Sequence, residues 1–296
     1  MRIGITGVTG FIGSALARAL SERGHGIVVY SRRTDLFLPW AKEIRKFDPE
    51  SPHVLDASGL DALVHLAGES VMGYWTEAKM KRIRDSRVET TQRIVEGLKD
   101  CSHGPSTFIC GSASGAYGDR GDEVLPESAA RGTGFLADVC AEWEAAACRA
   151  MAMKVRVVLL RTGVVLGRDG GAWPLLKKIF SLRLGSQLGS GKQWVPWIHL
   201  DDEVRIIVEA IENPAYQGPI NLAAPHPVTN AEMTKTIAEL LGKSRFIPAP
   251  AFALKLLMGK MSSAFLSSLR LEPKAVVDHG YEFKYSNLHH AVTDLI

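Results

Sequence analysis

A doubly wound parallel α/β sheet with a smaller C-terminal α/β lobe is the architecture this sequence predicts. Three observations carry it. Short apolar runs alternate with segments of helical periodicity along most of the chain. Short turns join them, the pattern of right-handed βαβ units. The first unit holds a glycine turn between strand and helix, Gly7-Val8-Thr9-Gly10-Phe11-Ile12-Gly13.

Composition narrows the class. The chain has 296 residues, 46% hydrophobic and 23% charged, which suits one large α/β unit or a nucleotide domain with a smaller lobe. A net charge of +3 is too small to argue for nucleic acid. No apolar run approaches the ~18 residues of a membrane span. A strand starting at residue 2 leaves the expectation that no leader precedes it. Cys101, Cys110, Cys140 and Cys148 form no CxxC and no Cys/His cluster of zinc spacing. They are expected to be reduced thiols in a cytoplasmic protein with no metal.

The glycine turn follows Arg2-Ile3-Gly4-Ile5-Thr6 directly. It opens a helix whose apolar face is Phe11, Ile12, Ala15, Leu16, Ala19 and Leu20. Glycines let the backbone turn sharply and approach a pyrophosphate with no side chain between. Free N–H groups at the helix start then face the negative charge. Gly7, Thr9, Gly10, Phe11, Ile12 and Gly13 are therefore expected cofactor contacts in a Rossmann-type sheet.

Ile27-Val28-Val29-Tyr30 reads as the second strand, and its end selects the cofactor. An acidic residue there would bind a ribose 2′-hydroxyl. This chain has Ser31-Arg32-Arg33 instead, and a hydroxyl and a guanidinium suit a 2′-phosphate. The expected cofactor is NADP(H); the alternative is a solvated basic turn. Ile44-Arg45-Lys46-Phe47 reads as a short third strand. Asp48 after it is either near the adenine or an exposed loop residue.

Ala62-Leu63-Val64-His65-Leu66 suits a central parallel strand, with His65 structural inside the sheet. Ala67-Gly68-Glu69 follows, and its small residues let a cofactor lie against the backbone. Residues 76–98 carry one helical pattern through Met80, Ile83, Thr91, Ile94 and Leu98. The basic residues from Lys79 to Arg87 mostly form its solvated face. Thr107-Phe108-Ile109-Cys110 reads as a strand running into the serine-rich segment 111–118. Phe135 to Met151 reads as a helix and Val155 to Leu160 as a strand.

The remainder looks like the smaller lobe, partly interleaved with the first. The expected division is a nucleotide-binding domain over 1–166, with 199–223 returning to it. Residues 167–198 and 224–296 form the smaller lobe. Trp173 to Leu184 reads as a helix. Gly185 to Trp197 is a glycine-rich loop with three bulky or basic members, Lys192, Trp194 and Trp197. It is either a substrate wall or lid, or a packed surface loop. Asp201 or Asp202 is expected to cap the next helix. Ile220-Asn221-Leu222 suits an outer strand. Thr229 with Glu232 has a capping-box spacing, in a helix ending at Gly242.

Taken together, these motifs resemble the epimerase-like proteins of the extended (atypical) short-chain dehydrogenase/reductase superfamily. The resemblance spans the whole chain. It rests on Gly7 to Gly13, Ser31-Arg32, Leu66-Ala67-Gly68-Glu69 and Ser86-Arg87-Val88-Glu89-Thr90-Thr91. It continues through Trp143-Glu144-Ala145-Ala146, Arg161 to Gly167, Gly189 to Trp194, Trp197-Ile198-His199 and Asn230-Ala231-Glu232. It implies a two-lobed fold, bound NADP(H), and cofactor contacts at Ser31, Arg32, Leu66, Ala67, Arg87 and Val164. In the extended enzymes a serine-rich stretch ending in Tyr-Gly orients the substrate oxygen. Here Ser112 and Ser114 are the candidates, with Tyr117 as a titratable group nearby.

One departure bears on chemistry. Short-chain enzymes use Tyr-x-x-x-Lys, in which the lysine lowers the tyrosine pKa for proton exchange. No such pair occurs in residues 130–150. Aligning the helix on Trp143-Glu144 puts Leu136 and Cys140 near those positions. Two readings follow. One is an NADP-dependent reductase or epimerase acting on a small polar molecule, with nucleotide sugars among the candidates. The other is a non-catalytic NADP(H)-binding sensor or scaffold. The partner expected is a small-molecule substrate, with neither nucleic acid nor membrane; a homodimer stays open. A nucleic-acid surface at Lys79 to Arg87 is poor, because those charges follow one exposed helix face.

Overall fold

The structure, a computed structural model, describes residues 1–101, 103–243 and 246–296. Seven parallel strands form the central sheet. They are β1 (Arg2–Thr6), β2 (Gly26–Ser31), β3 (Ala41–Lys46), β4 (Ala62–His65), β5 (Thr107–Ala113), β6 (Arg156–Thr162) and β7 (Gly218–Leu222). Their order across the sheet is β7-β6-β5-β4-β1-β2-β3, with every pair parallel. The order reverses between β1 and β4, so a crevice opens outside their C-terminal ends. This is the doubly wound sheet that the alternating apolar runs imply.

The strands are continuous apolar runs because both faces are covered. In β2, Ile27 and Val29 join one core with Ile3, Ile5, Leu16 and Ile206. Val28 and Tyr30 join the other with Leu63, Phe108, Ile94 and Trp143. Period-two alternation thus divides one short strand between two helix layers. The first layer contains α1 (Phe11–Glu22) and α6 (Leu200–Glu212). The second contains α3 (Val88–Leu98) and α4 (Phe135–Cys148).

The smaller lobe has its own core. Trp173 and Phe180 come from α5 (Trp173–Ser181), and Met233 and Ile237 from α7 (Asn230–Leu240). Leu288, Val292 and Leu295 come from the last helix, Leu288–Leu295. The Trp173 indole N–H donates to Leu295 O at 3.0 Å and pins that helix. The chain crosses back between lobes: α6 packs on α1, and β7 closes the edge of the central sheet beside β6.

Three local expectations need correction. Residues 76–98 form two helices, α2 (Glu77–Asp85) and α3, not one. Ser86 makes the break: its hydroxyl donates to Ile83 O at 3.2 Å and accepts the Glu69 N–H at 3.0 Å. The cap of α6 is His199, whose Nδ1 accepts the Asp201 N–H at 3.1 Å, so neither aspartate caps it. The helix from Trp173 stops at Ser181, short of Leu184. The capping box at Thr229 and Glu232 is present in both directions. No described helix is long and apolar enough to cross a membrane.

Candidate functional site

The glycine loop joins β1 to α1 at the crevice. Gly7 has φ +73, and a Cβ there would lie 2.8 Å from Ala67 N. A Cβ on Gly13 would lie 2.3 Å from Gly7 O. Both glycines are required by the protein's own packing. Gly10 differs: its φ is −82, and an added Cβ would meet only Gly7 O, at 3.1 Å. Thr9 and Gly10 are exposed, and no side chain caps α1. The first turn of α1 carries no acidic residue, and Ser14 N–H bonds Gly10 O at 2.9 Å. The amides before Ser14 lie at the positive end of the helix and suit an anion. The Phe11 ring packs on the turn at 167–171. It fills the space over Gly167, Gly170 and Gly171, where added Cβ atoms would come within 2.5, 2.3 and 2.8 Å of it. Ile12 packs against the first core.

At the end of β2, Ser31 Oγ accepts the Arg33 N–H at 3.2 Å. Arg32 and Arg33 are exposed, and neither joins an ion pair among the described residues. Two guanidinium groups therefore stand beside the crevice with their donors unspent. Asp48 accepts the Glu50 N–H at 3.2 Å, so it shapes its own turn.

At the end of β4, Thr6 Oγ1 accepts N–H groups from Leu66 and Ala67 at 3.2 and 3.3 Å. Its proton then goes to His65 Nδ1 at 2.7 Å. That fixes the His65 proton on Nε2. Burial, then the Arg87 charge, push the His65 pKa down to about 3, so the ring is neutral. The histidine is a structural strut, as its place in the strand implies. Arg87 sits at the helix break and turns inward. Its guanidinium carbon lies 3.4 Å from where a Gly68 Cβ would be. It donates to Glu69 O at 2.9 Å and Ile83 O at 3.1 Å, and lies 5.3 Å over the Trp143 ring. Val164 follows β6, and its N–H donates to Pro196 O at 2.6 Å. Gly7 to Gly13, Ser31, Arg32, Leu66, Ala67, Gly68 and Val164 thus lie at or just after C-terminal strand ends of one sheet, and Arg87 reaches Gly68 from the break between α2 and α3.

The three hydroxyls of the serine segment have different surroundings. Ser112 is buried and donates to Glu144 Oε1 at 2.7 Å. Tyr117 is fully buried; it donates to Asn221 Oδ1 at 2.7 Å and accepts from Arg161 at 2.8 Å. Burial raises its pKa against the opposing pull of Arg161. Ser114 begins the turn Ser114–Tyr117, is half-buried, and has no hydrogen bond among the described residues. Of the three, only Ser114 keeps its hydroxyl free of partners among the described residues.

The positions of the absent tyrosine and lysine are filled by packing groups. Leu136 covers Gly115, whose Cβ would be 3.1 Å away. Cys140 Sγ lies 3.8 Å from Ala113 O, and burial pushes its thiol up to about 11. Among the described residues no His/Cys/Asp/Glu group is placed to hold a metal. The loop from Gly185 to Trp197 helps wall a cavity of about 480 Å³ facing Asp119 and Asp122.

Sequence reasoning missed the polar groups buried beneath this edge. Glu144 and Arg161 pair through two bonds of 2.9 Å each. Arg131 adds a third charged contact at 2.9 Å. Asn221 joins through Tyr117 and donates to Leu125 O and Glu272 O at 3.0 and 2.8 Å. One signal was available: Arg161 ends the apolar strand Val157-Val158-Leu159-Leu160, and a buried charge demands a partner.

Fold and site define a dinucleotide-binding α/β protein with a second, smaller lobe. A glycine turn, a basic strand end and small residues after β4 meet at its switch point. The chain belongs to the NAD dependent epimerase/dehydratase family, whose model matches residues 3–223. A domain of unknown function, DUF1731, matches residues 249–295. The chain is 37% identical to the chloroplastic epimerase family protein SDR39U1 homolog of Arabidopsis thaliana, over 96% of this chain and 84% of that protein. It is 34% identical to epimerase family protein YfhF of Bacillus subtilis, over 100% and 98%. Among solved structures, human epimerase family protein SDR39U1 with NADPH superposes with a TM-score of 0.90. It is 31% identical, with 100% of this chain and 99% of that chain covered.

Proposed function

We propose that this protein binds NADP(H) and acts as an oxidoreductase or epimerase on a small polar molecule in the cytoplasm. One observation carries the cofactor reading. An uncapped helix start with the exposed Gly10 faces the same crevice as Arg32 and Arg33, which join no ion pair among the described residues. The first suits a pyrophosphate, the second a 2′-phosphate. The likeness to a human relative solved with NADPH supports it. When bound, the cofactor supplies or accepts hydride. The chain's own part is to hold the two phosphate sites, to wall the crevice with Ala67 and Gly68, and to offer Ser114 as a hydroxyl for a substrate oxygen. Four free cysteines support a reducing compartment.

A second reading, an NADP(H)-binding sensor without turnover, has its own support. Ser112 and Tyr117 spend their hydroxyls on internal bonds, and Leu136 and Cys140 stand at the tyrosine and lysine positions. Purified protein with NADPH against sugar nucleotides, aldehydes and quinones separates the two readings. Oxidation of NADPH with any of them supports the enzyme; tight NADPH binding without turnover supports the sensor.

A further inference from the structure

The cavity of about 480 Å³ has opposite charges among its lining residues. Asp119 and Asp122 come from the loop that follows the serine segment. Lys192 comes from the glycine-rich loop of the smaller lobe, and Lys255 from the helix α8 (Ala251–Met258). Among the described residues, none of the four is within ion-pair distance of any opposite charge. Arg120, between the aspartates, is spent on Glu123 and on Ala130 O.

The acidic wall is fixed in place. Asp119 Oδ1 accepts the Ser268 N–H at 3.0 Å, and Asp122 Oδ1 accepts the Trp194 indole N–H at 2.8 Å. Ser268 Oγ donates to Gly121 O at 2.6 Å and accepts the Trp194 N–H at 3.0 Å. Each carboxylate therefore spends one oxygen on holding the loop to the smaller lobe. The glycine loop is pinned as well: Gln193 Nε2 donates to Leu188 O at 3.0 Å, and Asn230 Oδ1 accepts the Leu188 N–H at 2.8 Å.

All four charged residues are exposed, so water solvates them in the free protein and they stay available to a ligand. They line an open cavity of about 480 Å³, a size within the range of about 300–1,000 Å³ used by small-molecule sites. A dianion would meet the aspartates and a dication the lysines, so like-charge contacts select against both. We propose that this cavity binds a zwitterionic small molecule. Its carboxylate or phosphate engages Lys192 and Lys255, and its ammonium group engages Asp119 and Asp122. The inference rests on the reading that the protein acts on a small polar molecule, and it names that molecule's charge class.

The test measures binding, by calorimetry on NADPH-saturated protein. The zwitterions are 6-aminohexanoate, 4-aminobutanoate and phosphoethanolamine; the singly charged controls are hexanoate, butanoate and hexylamine. A charged hydrogen bond at each end favours the best zwitterion over the controls by about tenfold or more. Lys192→Ala with Lys255→Ala should weaken that zwitterion by about tenfold or more. Asp119→Asn with Asp122→Asn should do the same, since asparagine keeps the anchoring oxygen and loses the charge. Melting temperature checks that each variant is folded. NADPH affinity, measured separately, should be unchanged; its loss in the parent would count against the cofactor reading and not this one. Zwitterions that bind no better than the controls overturn the proposal, as do variants that bind them as tightly as the parent.

Discussion

Glu144 and Arg161 face each other beneath the serine segment, joined by two hydrogen bonds of 2.9 Å. Both side chains are almost fully buried, at 0% and 5% exposure. Burial alone would raise the Glu144 carboxyl. The bonds and charge of Arg161, with Ser112 and Arg131, overcome burial and hold it below its usual range. Removing one partner leaves the other as a buried, unpaired charge. Glu144→Gln should therefore cost about 3–5 kcal/mol of stability. Replacing both with apolar residues, Glu144→Leu with Arg161→Met, should recover much of that loss. Urea denaturation of the single and double variants decides it. A single variant that loses less than about 1 kcal/mol would remove the pair from the structural account.

Glu203 sets a pH dependence of opposite sign to an ordinary ion pair. It is fully buried on α6; Thr162 donates to one of its oxygens at 3.0 Å, and the other has no partner among the described residues. Burial, opposed only by that bond, pushes its pKa from 4.5 to about 8. Below pH 4.5 the carboxyl is protonated both folded and unfolded. Between 4.5 and about 8 the unfolded chain ionises and the folded one does not. The unfolded state then binds fewer protons, so stability falls as pH rises through this window and levels off above it. Glu203→Gln should remove that fall. Its stability gain over the parent should grow from pH 5 to pH 8, reaching on the order of a few kcal/mol. A gain that stays flat across these pH values would mean the carboxyl is ionised in the folded protein.

On the proposed reading, cofactor choice rests on Arg32. A charged hydrogen bond contributes roughly 1.5–3 kcal/mol. Arg32→Ala should weaken NADPH binding by about tenfold or more and leave NADH nearly unchanged. Calorimetry with both cofactors reads this directly, and an equal loss for the two would sink the assignment of Arg32 to the 2′-phosphate.

The glycine loop separates folding from binding residue by residue. A side chain at Gly13 runs into Gly7 O at 2.3 Å, so Gly13→Ala should lower the melting temperature. Gly10 has an ordinary φ of −82 and one tight contact, an added Cβ lying 3.1 Å from Gly7 O, so Gly10→Val should fold after a small shift of that turn. Its branched side chain would stand where the phosphates approach. The variant should lose the melting shift that NADPH gives the parent. A folded Gly10→Val protein that keeps the whole shift would falsify the pyrophosphate assignment.

The sheet was legible because its strands are short apolar runs, and each buries both faces. Glycine spacing and Ser31-Arg32-Arg33 were legible because a turn and a strand end are local features. The break at Ser86 was not, since it depends on a hydroxyl reaching Glu69 N–H from a neighbouring loop. The His199 cap was hidden by two better capping residues, Asp201 and Asp202, just beyond Leu200. Ser112 and Tyr117 could not be told from Ser114 in sequence. Their difference lies in Glu144 and Asn221, which are distant along the chain and carry no periodic signal.

That difference makes the serines separable by experiment. Ser112 bonds Glu144 at 2.7 Å in a buried setting, so Ser112→Ala leaves a carboxylate oxygen short of a donor. It should cost about 1–3 kcal/mol in urea denaturation. Ser114 has no protein partner among the described residues, so Ser114→Ala should leave stability and NADPH affinity near the parent's. If the protein is an enzyme, Ser114 is the hydroxyl at the sheet edge still free to meet a substrate oxygen. Its loss should then lower turnover by about a hundredfold, within the range that a positioned proton-transfer group supplies. The measurement is NADPH oxidation on a substrate the parent reduces, alongside denaturation of both variants. Full turnover in Ser114→Ala ends its catalytic role. A parent that binds NADPH tightly and reduces nothing across sugar nucleotides, aldehydes and quinones would leave both serines structural and favour the sensor.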